Sequence, residues 1–144
     1  MKLRICFGVG IAIAIVFAVI KSTNAADTDA AKMAQIKRGK YLVERVGMCA
    51  DCHTPRTQTG EFNRSLWLQG NALDFRPMHP IPGFASVAPQ IAGLPTFATD
   101  DLAIRFLETG TNAVGKLSAP PMPRVRLEHD DAVAVTAYLR SLKK

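Results

Sequence analysis

Residues 5–20 read ICFGVGIAIAIVFAVI, sixteen positions without a charge, of which fourteen are hydrophobic. Lys2 and Arg4 precede this run, and Lys21-Ser-Thr-Asn-Ala25 follows it. A basic start, an apolar middle and a small-residue ending describe a secretory signal peptide, here residues 1–25. An uncleaved membrane anchor is the alternative, because sixteen apolar residues are only slightly short of a spanning helix. Further along, apolar residues recur at helical spacing. Asp29 to Met48 carries Ile36, Gly39, Val43 and Val46 on one face and contains no proline. Thr99 to Gly110 reads as a second helix, with Thr99 as N-cap, Asp100 and Asp101 in its first turn and Gly110 as its stop. Asp130 to Lys143 reads as the last helix, its aspartates and lysines placed to suit the helix dipole. No segment alternates strongly enough to predict a strand, so the expected class is all-α.

The nine prolines all lie between residues 55 and 123, and six of them fall in residues 54–98. A stretch this long without periodicity is expected to be a functional loop. It holds Phe62, Trp67, Leu73, Phe75 and Phe84, which could pack on something other than a protein core.

Composition sharpens the picture once the leader is set apart. The whole chain has 144 residues and a formal charge of +6, but residues 1–25 contain three basic residues and no acid. The remaining 26–144 therefore form one domain with a charge of +3. That is too little to argue for a nucleic-acid partner. Contact with a membrane is expected only if the leader is retained.

Two of the three cysteines lie outside the leader, in Met48-Cys49-Ala-Asp-Cys52-His53. C-x-x-C-H is a c-type haem attachment pattern. Two thiols separated by one helical turn can form thioethers with the two vinyl groups of one haem, and the adjoining histidine then falls under the iron. A zinc site would need more ligands than His79 and His129 supply. A thioredoxin-type pair would need an alternating strand and helix pattern. A disulfide across two residues would be strained and would cross-link little chain. Cys49, Cys52 and His53 are therefore assigned to one covalently attached haem c.

A second axial ligand is sought among the remaining methionines and histidines. Pro120-Pro121-Met122-Pro123 is the first choice, since its prolines are expected to hold the backbone extended and present the thioether at little ordering cost. Thioether opposite imidazole raises the reduction potential. Met78 and His79, also among prolines, are the alternative.

These residues resemble class I cytochrome c, over most of residues 36–142. Arg38-Gly39-Lys40-Tyr41-Leu42 followed by the attachment motif is similar to that family's N-terminal helix and haem site. Ala137-Tyr138-Leu139-Arg140-Ser141-Leu142 is similar to its terminal helix. The resemblance implies that Gly39 and Val43 cross Val135 and Tyr138, with long Pro-rich loops wrapping the haem. It also implies that Pro89, in Ala88-Pro89-Gln90-Ile91-Ala92-Gly93-Leu94, accepts a hydrogen bond from His53 through its carbonyl. Arg56, Trp67 and Arg76 are chemically suited to meet the haem propionates.

The functional expectation is a periplasmic single-electron carrier or electron-transfer subunit rather than an enzyme. It would pass electrons from a dehydrogenase or other redox enzyme to an acceptor such as an oxidase. Arg124, Arg126 and Lys116 could form a weak basic docking patch. The competing expectation is a haem enzyme or gas-binding protein with an open or labile sixth site.

Overall fold

The computed structural model describes residues 27–112 and 114–142. The expected leader, residues 1–25, lies outside the described residues. By contacts the chain divides into two units, Met1–Ala34 and Gln35–Lys144. Residues 27–34, the described part of the first, are helical and exposed.

The second unit opens with helical residues 35–41, called α1. The helix expected to reach Met48 ends sooner. At Leu42–Val46 it widens into a π-helical turn, where Gly47 N–H reaches Leu42 O at 2.7 Å and Cys49 N–H reaches Val43 O at 3.1 Å. Met48 then adopts a left-handed φ of 48°, and the chain re-enters a short helix, α2, at Ala50–His53.

Two further helices complete the frame. α3 spans Asp100–Thr109; Thr99 Oγ1 accepts from Leu102 N–H at its start, and Gly110, at φ 70°, ends it. α4 spans His129–Ser141. The long loop contains a 3₁₀ turn, Arg64–Leu66, and a small antiparallel ladder between β1 (Asn71–Ala72) and β2 (Val87–Ala88). That ladder was not expected; two residues per strand are too few to show alternation.

The core collects Leu42, Val43, Ala50, Leu68, Leu94, Ala103, Val135, Tyr138 and Leu139. Leu68 is 0% exposed and lies at the junction of several segments. Its N–H donates to Thr54 Oγ1 at 2.9 Å, and its carbonyl accepts from both Ile91 and Ala92 N–H at 3.0 Å. One leucine thereby joins the residues after α2 to those after β2. Burying a side chain of this size contributes roughly 1.5–3 kcal/mol.

α1 and α4 cross at Gly39, where the backbone of Ala134 and the Cβ of Tyr138 approach too closely to admit a side chain. Val43, one turn on, is 1% exposed in the same core. Tyr138 ties the crossing together: its hydroxyl donates to Glu44 Oε1 at 2.6 Å and accepts from Trp67 Nε1 at 3.3 Å. Outside, Arg38 grips Asp131 through two hydrogen bonds of 2.9 and 3.1 Å. Among the described residues no helix is long and apolar enough to cross a membrane.

Candidate haem site

Cys49 caps α2 and Cys52 lies within it, so the two thiols stand on one helical turn. Both are half-buried and unpaired. Burial is the main reason that the Cys49 thiol has a raised pKa. His53 ends the same helix, its N–H bonded to Cys49 O at 3.0 Å and the residue 5% exposed. Gly70 N–H donates to His53 O at 2.9 Å, fixing the backbone from the β1 side.

The His53 ring lies with Nδ1 2.6 Å from Pro89 O. A proline carbonyl can only accept, so Nδ1 carries the proton and donates. Burial lowers the ring's pKa, and the Pro89 bond opposes that shift. The consequence is a neutral imidazole whose Nε2 lone pair has no hydrogen-bond partner among the described residues.

Pro89 follows β2 directly, and the ladder pairs Ala88 with Asn71, next to Gly70. Beyond the ladder, residues 73–86 surround an open cavity of about 650 Å³ lined by Leu73, Phe75, Arg76, Met78, Ile81 and Phe84, among others. Phe75 and Phe84 meet edge to face, 6.2 Å between centroids. The same segment is tied to the Met122 turn, because Ala85 N–H donates to Pro120 O at 2.6 Å.

Residues 36–143 match the family model for cytochrome c. The chain belongs to the cytochrome c family. The cytochrome is 31% identical to a diheme cytochrome c-type protein of Cereibacter sphaeroides over 110 residues, 72% of this chain and 34% of the relative. It is also 31% identical to the fructose dehydrogenase cytochrome subunit of Gluconobacter japonicus over 110 residues, covering 73% and 21%. The gluconate 2-dehydrogenase cytochrome c subunit of Pantoea cypripedii is 32% identical over 123 residues, covering 74% and 26%. The cytochrome thus spans about a third or less of the length of the curated relatives it matches.

The residues fit haem c, the family's cofactor. Two thiols three positions apart and an imidazole with Nδ1 occupied and Nε2 without a hydrogen-bond partner among the described residues meet the group's chemical requirements. Among the described residues no three His, Cys, Asp or Glu side chains gather as an alternative metal cluster.

Several expectations need correction. The Pro120–Pro123 segment is not held extended; it turns, with Met122 N–H donating to Ala119 O at 3.0 Å and the Met122 residue half-buried. Consecutive prolines restrict φ but do not prevent a turn across them. Of the loop's aromatic residues, only Phe75 and Phe84 line the cavity, with Leu73 beside them. Phe62 and Trp67 are partly buried against the protein core, 5.7 Å apart and edge to face.

The three side chains suggested for the propionates also separate. Arg56 bonds to Gly60 O and Asp51 and lies 4.3 Å from the Phe62 ring centroid. Trp67 is bonded to Tyr138 and covered by Arg64, 4.2 Å from its ring. Arg76 alone of the three lines the cavity. Met78, the alternative ligand, is 95% exposed on the cavity rim, and His79 is exposed beside it. His129 bonds to Glu108 at 2.7 Å from an exposed position.

Arg140 was missed as part of the site's support. Its guanidinium reaches three backbone carbonyls in the turn that follows Pro89. The available signal was a single long cation among the small and apolar residues of the last two turns of α4.

Proposed function

We propose that the cytochrome is a periplasmic single-electron carrier holding one haem c, with His53 and Met122 as axial ligands. The observation that carries this reading is the His53 Nδ1–Pro89 O hydrogen bond of 2.6 Å, beside the Cys49/Cys52 turn. It fixes the tautomer that leaves Nε2 available to iron. When bound, haem c supplies a ferric/ferrous couple that accepts and releases one electron. The chain's own part is to attach the group through Cys49 and Cys52 and to orient His53. Met122, in a turn tied through Pro120 to the cavity segment, is the sulfur ligand of choice.

The partner in this reading is a dehydrogenase as donor, supported by likeness to cytochrome subunits of fructose and gluconate dehydrogenases. The basic and apolar pattern of residues 1–25 supports export. The full chain should be expressed in cells that mature c-type haem and the exported product weighed intact. The proposal expects one haem per chain and loss of residues 1–25. Cys49→Ala with Cys52→Ala should abolish covalent haem. A product with no covalent haem, or with more than one, contradicts it.

A further inference from the structure

We propose that Arg140 is a positioning residue for the His53 imidazole, acting through the turn that carries Pro89; this rests on the reading of His53 as an iron ligand. Arg140 lies in the last turn of α4 with its side chain 29% exposed. Nη1 donates to Gly93 O at 2.9 Å and to Leu94 O at 3.2 Å, and Nη2 donates to Phe97 O at 3.0 Å. Nε is 2.7 Å from Asp100 Oδ1, which orients the whole group. A planar guanidinium can satisfy several carbonyls at once, and lysine, with a point charge, cannot reproduce that fork.

Two of the three carbonyls it holds belong to a strained turn. Gly93 has φ 75° and Leu94 has φ 51°. The left-handed region is unfavourable for leucine and persists only where the surroundings enforce it. Leu94 is 3% exposed in the core, and the Gly93 and Leu94 carbonyls both meet Arg140. Gly93 N–H also donates to Leu139 O at 2.8 Å, so α4 grips this turn twice.

Only three residues lie between Pro89 and Gly93, and Ile91 and Ala92 are bonded to Leu68 O. The backbone at Pro89 is confined as well, since a Cβ on Gly70 would come within 3.0 Å of Pro89 C. The position of Pro89 O therefore depends on anchors at both ends of a short segment, and Arg140 forms part of the downstream anchor. Releasing it lets Leu94 leave the left-handed region and carries the relaxation back towards Pro89. A weaker bond to Nδ1–H makes the imidazole a poorer donor to ferric iron and raises the reduction potential.

The test uses the haem-loaded protein and its Arg140→Gln, Arg140→Lys and Arg38→Gln variants. Arg38→Gln removes the α4 ion pair with Asp131, remote in sequence from the Pro89 turn, and serves as a stability control. The readouts are reduction potential and the exchange rate of the His53 Nδ1 proton by NMR, alongside thermal stability. The proposal expects Arg140→Gln to raise the potential and speed exchange several-fold. Arg140→Lys should fall between it and wild type, and Arg38→Gln should leave both readouts unchanged. Wild-type potential and exchange in the Arg140 variants, whatever their loss of stability, would overturn the proposal. If Arg140→Gln does not accumulate, Arg140→Lys decides by the same criterion. A wild-type protein without His53 on its iron would instead overturn the site reading on which this depends.

Discussion

Gly39 of α1 lies directly against the backbone carbonyl of Ala134 in α4, with Tyr138 Cβ crowding the same space. Two opposing effects meet in Gly39→Ala. Helix propensity favours alanine by about 1 kcal/mol. The added methyl has no room against a backbone oxygen that cannot rotate away, and overpacking of this kind costs about 1–3 kcal/mol or more. Packing wins, because the obstructing atoms are backbone, and the expected net effect is destabilisation of up to about 2 kcal/mol. Denaturant unfolding of the haem-loaded variant checks this; an unchanged or higher midpoint would show that the crossing is looser than described.

Thr54 offers a test of how the site is joined to the core. It is fully buried, follows His53, and its Oγ1 is the acceptor for Leu68 N–H. Thr54→Val keeps the shape but leaves that N–H without its partner, at a cost of about 1–3 kcal/mol. Urea midpoints of the two proteins measure the difference. A change below about 0.5 kcal/mol would mean that the bond contributes little to joining these segments.

The tyrosine at the crossing predicts an alkaline limit to stability. Burial first, then the neighbouring Glu44 carboxylate, push the Tyr138 phenol from its ordinary 10.0 up to about 12. Folding therefore favours the neutral phenol. The resulting contribution is fully present below pH 10 and is lost as pH rises towards 12, amounting to on the order of 2–3 kcal/mol. Unfolding free energy measured from pH 9 to 12 should fall across this window in wild type. Tyr138→Phe should be less stable at pH 9 and lack that part of the slope. Parallel curves for the two proteins would assign the alkaline loss to other groups.

The parts of this molecule that were legible in the sequence are those whose signals are local. Thr99, the aspartates after it and Gly110 mark α3 because a cap, a dipole and a left-handed stop each act within one turn. C-x-x-C-H is legible for the same reason. A close crossing was legible in the mid-helix Gly39, but its partners and the Pro89 hydrogen bond became expectations only through resemblance, since they join residues far apart in sequence. The contacts made by Arg140, Trp67 and Glu44 were not anticipated because their partners are backbone carbonyls or a distant hydroxyl, which no spacing rule encodes. The π-helical turn at Leu42–Val46 was also hidden: its residues suit an ordinary helix, and tertiary packing decides the wider turn.

The account stands or falls on six-coordinate ligation by His53 and Met122. The most direct measurement is the absorption spectrum of the oxidised, haem-loaded protein beside that of Met122→Ala. A low-spin wild-type spectrum with a sulfur-to-iron charge-transfer band, lost in Met122→Ala, is the predicted result. A high-spin wild-type spectrum with rapid carbon monoxide binding after reduction, or a sulfur band that survives in Met122→Ala, would contradict it.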